Sequence, residues 1–465
     1  MNANIKNQSQ YDKMTKTSVE KLIVTLSIPT ILSMMVSNVY NLVDTAFVGT
    51  LGNSASGAVG IVFGFMAILQ AIGFLFGQGA GSIISRQLGQ KNAKKASEFA
   101  STGFFFAFGI SVAAVVICAF FLDNIIIFLG STETIAPYAK TYISFILLTA
   151  PFQVTSFTLN NILRYEGKAV YGMIGLMSGA FINIAGDALF MFVFNMGITG
   201  AGLSTAISQV ISFVILTIPF FKGMTQCKLS LKNIVFKWNL IGNIIATGSP
   251  SLIRQGLNSI ATILLNFLSK PYGDEAIAAM SIVGRIFFFI FSISVGVGQG
   301  FQPVSGFNYG AKKYARLRKA HQFTVILSEI LMVILGTTIF IAAPEFIRLF
   351  RDDETVISIA TRALRYQCVA VIFLPFGMVT EMLFQSTGNK VQAIILSAVR
   401  SGLIFIPLLF LLSKIWGLAG IQVAQAYSFI LSVIPAIILL INFMKIICTI
   451  YKTTFNQYCR HICLS

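Results

Sequence analysis

Two acids set in apolar sequence are the residues of this chain with the most chemistry to offer. Asp44 lies in Tyr40-Asn-Leu-Val-Asp44-Thr-Ala-Phe-Val-Gly49 and is the one carboxylate of the apolar run that starts near Leu22. Asp187 lies in a second such run, four residues after Asn183. Tyr40 precedes Asp44 by the same interval, so on helices each pair shares a face. An acid inside a bilayer helix costs roughly 2.5–3.5 kcal/mol and needs a partner or a wet cavity. Two carboxylates, the Asn183 amide and the Thr205 hydroxyl at one depth would form an oxygen cage. Such a cage suits Na⁺, and two neighbouring acids in low dielectric can equally share a proton, so the residues leave Na⁺ and H⁺ both open.

Depth follows from the elements that carry these residues. Asp44 falls about four residues before the outer end of helix one, Asp187 about seven before that of helix five, and Thr205 about six into helix six. At 1.5 Å per residue, all three lie roughly 6–11 Å beneath the outer boundary. The count places Asn160, in helix four, near the inner end.

Composition requires such helices. The chain has 465 residues, 56% hydrophobic and 11% charged, with mean hydropathy +0.82. A soluble protein could not hide that much apolar surface. About twelve apolar runs reach spanning length, among them 22–48, 137–163, 169–194 and 199–221. They lack period-2 alternation, which predicts helices and not barrel strands. The net charge of +17 would suggest nucleic acid in a soluble protein. Here it gathers in alternate loops: Lys13, Lys16, Lys21; Arg86, Lys91, Lys94, Lys95; Arg164, Lys168; Lys312, Lys313, Arg316. That asymmetry puts both termini in the cytoplasm of a multi-pass plasma-membrane protein, with no nucleic-acid partner. Residues 1–21 are polar, and the first apolar run is too long for a cleaved signal. Cys459, His461 and Cys463 stand one ligand short of a closed zinc site, and an ordinary tail is the expectation there.

The chain also repeats. A shift of 221 residues lays Pro29 on Pro250, Gly52 on Gly273, Gly77-Gln78-Gly79 on Gly298-Gln299-Gly300, Lys91 on Lys312 and Gly167 on Gly388. Near the end Gly197 and Gly200 match Gly417 and Gly420. The predicted fold is therefore all-α and membrane-integral, with twelve transmembrane helices in two pseudo-symmetric six-helix bundles. Their limits are an N-terminal tail 1–21, lobes 22–221 and 243–445, a linker 222–242 and a C-terminal tail 446–465. Parallel repeats place a substrate site at their interface.

The segments NLVDTAFVG (41–49), GQGAGSIISRQLGQKNAKKA (77–96), LRYEGK (163–168), NIAGDALF (183–190), MGITGAGLSTAIS (196–208) and GQGFQPVSGFNYGAKK (298–313) resemble the multidrug and toxic compound extrusion (MATE) family. The likeness covers nearly all the runs and is greatest to the bacterial MepA-like and DinF-like branches. It implies a secondary antiporter that expels amphipathic or cationic organic compounds in exchange for Na⁺ or H⁺, without a cofactor and as a monomer. It also assigns the cation-coupling role to Asp44, Asn183, Asp187 and Thr205, with Tyr40 as neighbour. A Glu that some branches carry early in helix seven is missing; Arg254 and Gln255 stand there.

The second half does not copy the acids. Leu265 and residues 403–405 occupy the corresponding places. Glu329 and Glu381 are its remaining buried-looking carboxylates. Glu381 would meet a cationic compound, or else pair with a nearby Arg or Lys or face an aqueous cytoplasmic end. Gln78 and Gln299 sit between glycines and would bridge helices or touch substrate, with packing the simpler reading; Asn160 is a further weak cavity candidate. Abundant Phe and Met suit an adaptable cavity, although they are ordinary lipid-facing residues too. A lipid-linked saccharide flippase of the same superfamily is the alternative. An integral-membrane prenyl transferase would need Asp-rich metal motifs, and the chain has none; nor does it show a nucleotide-binding loop or a nucleophile triad.

Overall fold

The computed structural model describes residues 3–462. Among them there is no strand. Apolar side chains on every face leave only a bilayer as solvent, and in lipid a helix satisfies its own backbone. The first half comprises α1 (Ala3–Lys16), α2 (Val19–Gly49), α3 (Asn53–Gly89), α4 (Ala93–Phe120), the short α5 (Leu122–Phe128), α6 (Ala136–Tyr165), α7 (Ala169–Asp187) and α8 (Gly197–Phe221). The second comprises α9 (Trp238–Ser269), α10 (Asp274–Gly310), α11 (Tyr314–Ile341), α12 (Ala343–Arg348), α13 (Glu354–Ala370), α14 (Leu374–Thr387), α15 (Lys390–Ala398), α16 (Phe405–Trp416) and α17 (Leu418–Ile462). Eleven described stretches are long and apolar enough to cross a membrane. The twelfth, α9, is 32 residues long and is diluted by Asn243, Arg254, Gln255 and Asn258.

The repeat read from glycine spacing is written in the backbone. Gly52 and Gly273 have φ of 108° and 92°, Gly167 and Gly388 of 79° and 89°, and Lys91 and Lys312 of 61° and 58°. Each pair ends or starts the corresponding helix in the two halves. The helices α3 and α10 are both 37 residues long, and α4 and α11 both 28. Each half also contains one π-helical segment, Ala188–Val193 after α7 and Val399–Leu403 after α15.

The chain forms two compact units, one of residues 1–16 and 24–252, the other of 17–23 and 253–465. In the first, α6 packs against α3, α4, α7 and α8. Leu159, Leu163 and Leu216 are buried together there, flanked by Phe104 and Phe213. In the second, α10 packs on α11, α13 and α14, and α17 on α13, α14 and α16. Paired polar side chains tie α10 to α14: Gln302 donates to Gln385 at 2.9 Å, and Ser305 meets Ser386 at 2.7 Å.

Three boundaries differ from the sequence reading. Residues 3–16 form a helix that docks on the first unit, with Met14 fully buried and Gln10 Nε2 donating to the Glu166 carbonyl at 2.8 Å. Gly167 admits it, because a side chain there would strike Gln10 and Met14. The linker is shorter, ending before Trp238, and the first unit takes in α9 as far as Leu252. At the C-terminus α17 continues as helix to Ile462. The side chains of Cys459, His461 and Cys463 lie outside the described residues.

Candidate functional site

Glycine spacing sets the approach of the site's helices. Along α7, Gly175, Gly179 and Gly186 face α8, where a side chain would collide with Leu216, Ser212 and Ser204 respectively. Small residues recurring about every four let two backbones close up in a membrane. The approach brings the Asn183 and Asp187 face of α7 against Ser204 and Thr205 of α8. Asn183 Nδ2 donates to Thr205 Oγ1 at 3.2 Å and to Ser204 Oγ at 3.4 Å, and Ser204 Oγ donates back to the Asn183 carbonyl at 2.8 Å.

The outer part of α2 completes the group. Asp44 faces Asp187 across the α2–α7 junction, with Tyr142 of α6 beside it and the Tyr40 hydroxyl in electrostatic range of both acids. Phe47 packs edge-on against Phe192 at 5.4 Å and fixes α2 against the π-helical segment. Tyr142 is 1% exposed, and its hydroxyl lies 3.5 Å from Thr205 Oγ1. Asp187 is fully buried, Asn183 2% exposed and Asp44 9%.

The acceptors outnumber the donors. The Ser204 hydroxyl adjoins Asp187 but is committed to the Asn183 carbonyl. The two carboxyl groups act on each other, and each is an acceptor when ionised. Asp44 Oδ1, Asn183 Oδ1 and both carboxyl oxygens of Asp187 are thus buried with no hydrogen-bond donor. Buried acceptors are ordinarily paired, and several in one place have the chemistry to accept a cation or a proton. Asp187 stands where α7 gives way to the π-helix, a distortion frequent at functional sites.

Five residues singled out from sequence therefore converge: Tyr40, Asp44, Asn183, Asp187 and Thr205. Tyr142 and Ser204 were missed. Tyr142 lies within about two residues of the depth of Thr205, measured from the starts of α6 and α8, so the same residue count, extended to hydroxyls on helix four, would have found it.

The weaker candidates go elsewhere. Gln78 is fully buried and accepts from Ser251 Oγ at 2.5 Å, joining α3 to α9 within the first unit. Gln299 is buried in α10. Asn160 abuts Gly172 of α7, where a side chain would press on its amide. Glu381 is fully buried between two guanidinium groups, Arg254 Nη1 at 2.9 Å and Arg400 Nη2 at 2.5 Å. Of its two sequence readings, the ion pair is the one the structure shows; both carboxyl oxygens are engaged. Glu329 on α11 is half-buried.

Known proteins resemble the chain along most of its length. The MatE family model matches residues 29–189 and again 250–411, once in each half. The multidrug export protein MepA of Staphylococcus saprophyticus is 27% identical over 407 residues, covering 87% of this chain and 90% of that protein. MepA of Staphylococcus aureus strain NCTC 8325 is similar to the same extent. Among solved structures, MATE in complex with MaL6 superposes with a TM-score of 0.88 at 24% identity, covering 95% of this chain and 99% of that one. An outward-facing multidrug resistance MATE family transporter of the MOP superfamily also gives 0.88 at 24% identity, over 95% and 98%. A twofold match to one family model, a backbone that repeats at the same places and a common fold lead to one statement: the chain belongs to the MatE family of membrane transporters.

Proposed function

We propose that the protein is a secondary active multidrug efflux antiporter. It exchanges amphipathic or cationic organic compounds for Na⁺ or H⁺ by alternating access. It works as a monomer in the plasma membrane, with both termini in the cytoplasm. The observation that carries this reading is the cluster of Asp44, Asn183 and Asp187 oxygens, buried and without donors, with Tyr142 and Thr205 at its edge. The likeness to MepA multidrug export proteins supports the cargo class.

The first-half acids take the inward-moving ion. A charge descending about 100 mV releases about 2.3 kcal/mol, which drives cargo outward. Tyr40 and Tyr142 line the ion's neighbours and Thr205 supplies a hydroxyl oxygen. Asp44 sits on α2, whose interior Pro29 removes one backbone hydrogen bond and gives that helix a place to bend. The flippase alternative calls for a strongly cationic cavity. Arg254 and Arg400 share Glu381, so this pair offers one net charge and supports antiport better.

The test is ethidium transport in proteoliposomes under an imposed Na⁺ or pH gradient. One gradient drives export by the wild type. Asp44→Asn and Asp187→Asn each abolish gradient-driven export while the protein still folds and inserts. Full coupled export in both variants would refute the assignment.

A further inference from the structure

We propose that the second unit contains an anion-recognition site, built on Arg254 and Arg400, that takes the carboxylate of an amphipathic cargo molecule. The inference rests on the efflux reading and specifies part of the cargo.

The chemistry begins with a charge imbalance. Arg254 comes from α9, Glu381 from α14 and Arg400 from the π-helical segment after α15. Two guanidinium groups, permanently charged, share one carboxylate. Glu381 has spent both oxygens on them, so one positive charge is left over. The charged groups acting on Arg400 are Glu381 and Arg254, and the second of these only adds to the surplus. Both arginines are 6% exposed. A buried charge without full compensation is costly, and an apolar triad of similar volume would be the more stable solution. A structural clamp would need one arginine, not two.

The second observation is independent of charge counting. Arg400 Nη1 is buried and has no acceptor. A guanidinium is a planar fork whose paired N–H groups match the two oxygens of a carboxylate. Here one arm is held by Glu381 and the other has no partner. The residue also lies in π-helical backbone, as the first-half segment that begins after Asp187 does, though at a different place in the repeat. Each half therefore has its charged group at a helix distortion, an acid in one and a base in the other.

Apolar residues neighbour the charged groups along the same elements. Met378 lies one turn before Glu381 on α14, and Leu257 closes on Gly402 beside Arg400. A ligand that fits has an anionic group on an apolar body. A phospholipid headgroup phosphate shares that chemistry, so the test separates the two sources.

Purified full-length protein in nanodiscs is titrated with tetramethylrhodamine, which has a free carboxylate, and with its methyl ester, in which one methyl group caps that carboxylate and removes its charge. Fluorescence polarisation reads both. The wild type binds the free acid about tenfold more tightly than the ester, about 1.4 kcal/mol. In Arg400→Gln the surplus charge is gone, a neutral Arg254–Glu381 pair remains and the preference collapses to within about twofold. Arg400→Lys keeps the charge, loses the fork and retains an intermediate preference, which serves if the Gln variant does not fold. Equal binding of acid and ester by the wild type, or a full preference in either variant, overturns the site. Displacement of the free acid by short-chain phosphatidylglycerol would assign the site to a headgroup phosphate and overturn the cargo carboxylate; no displacement supports it. Failure here leaves the efflux reading intact, because that reading stands on gradient-driven export through Asp44 and Asp187.

Discussion

At the scale of single residues, the two units solve opposite electrostatic problems. In the first, Asp44 and Asp187 place carboxyl oxygens where no donor meets them. In the second, Arg254 and Arg400 enclose Glu381. Glu381 therefore works mainly by holding two like charges together. Removing it leaves both guanidinium groups buried and unpaired, a loss that runs to about 3–5 kcal/mol when one member of a buried pair is deleted. Glu381→Ala is expected to lower stability by that amount, measured as a drop in melting temperature of the detergent-solubilised protein. Arg400→Gln, which leaves a balanced pair, should cost distinctly less. Sequence brought Glu381 forward as a buried acid but left its partner open. Arg254 and Arg400 are 146 residues apart in the chain, and nothing local tells that α9 and the end of α15 meet on one side chain of α14.

At the scale of elements, the loop after α6 secures the linker. Glu166 accepts the backbone N–H of Gln226 at 2.8 Å and of Cys227 at 3.0 Å, one on each oxygen. Ser97, Ser101 and Thr102 of α4 extend the clamp to Lys228, Ser230 and Val235. Burial pushes the Glu166 carboxyl above its ordinary value, against the downward pull of these hydrogen bonds and of Lys168. A raised folded value means that its contribution to stability is fully present below the ordinary carboxylate pKa and is lost as pH rises through the raised one. Glu166→Gln should therefore flatten the fall in melting temperature from acid to neutral pH. Burial and the Glu166 charge also push the Cys227 thiol up, which keeps it unreactive. Glu166→Ala releases the linker, and alkylation of Cys227 by iodoacetamide at neutral pH should become faster. In the sequence LRYEGK served only as a family motif. Its acid drew no reading of its own, because loop composition carries no information about which backbone donors will fold onto it.

At the scale of the whole molecule, a duplicated backbone carries unduplicated chemistry. Matching glycines at Gly52 and Gly273, and at Gly167 and Gly388, take positive φ alike within each pair. Leu265 stands where Asp44 would recur. On the proposed mechanism coupling belongs to the first unit alone, so acids of the second are dispensable for it. Glu329→Gln, which neutralises the half-buried acid of α11, should keep gradient-driven ethidium export within about twofold of wild type, a change of under about 0.5 kcal/mol in the driving step. A loss as large as that of Asp187→Asn would place part of the coupling machinery in the second unit.

Periodicity, composition and glycine spacing determined the helical membrane fold, the twofold repeat and the common depth of Asp44, Asp187 and Thr205. These are local properties: a long apolar run must span, a glycine at a helix end permits positive φ, and depth follows from counting residues along a known rise. The tertiary structure alone decided which side chains at that depth touch, adding Tyr142 and Ser204 to the acids. It also decided that Glu381 is enclosed by two arginines, and that residues 3–16 and the linker are bound to the first unit. Those outcomes depend on contacts between residues far apart in the chain. Such contacts are set by how closely glycine-lined helices approach, and no single helix encodes that distance.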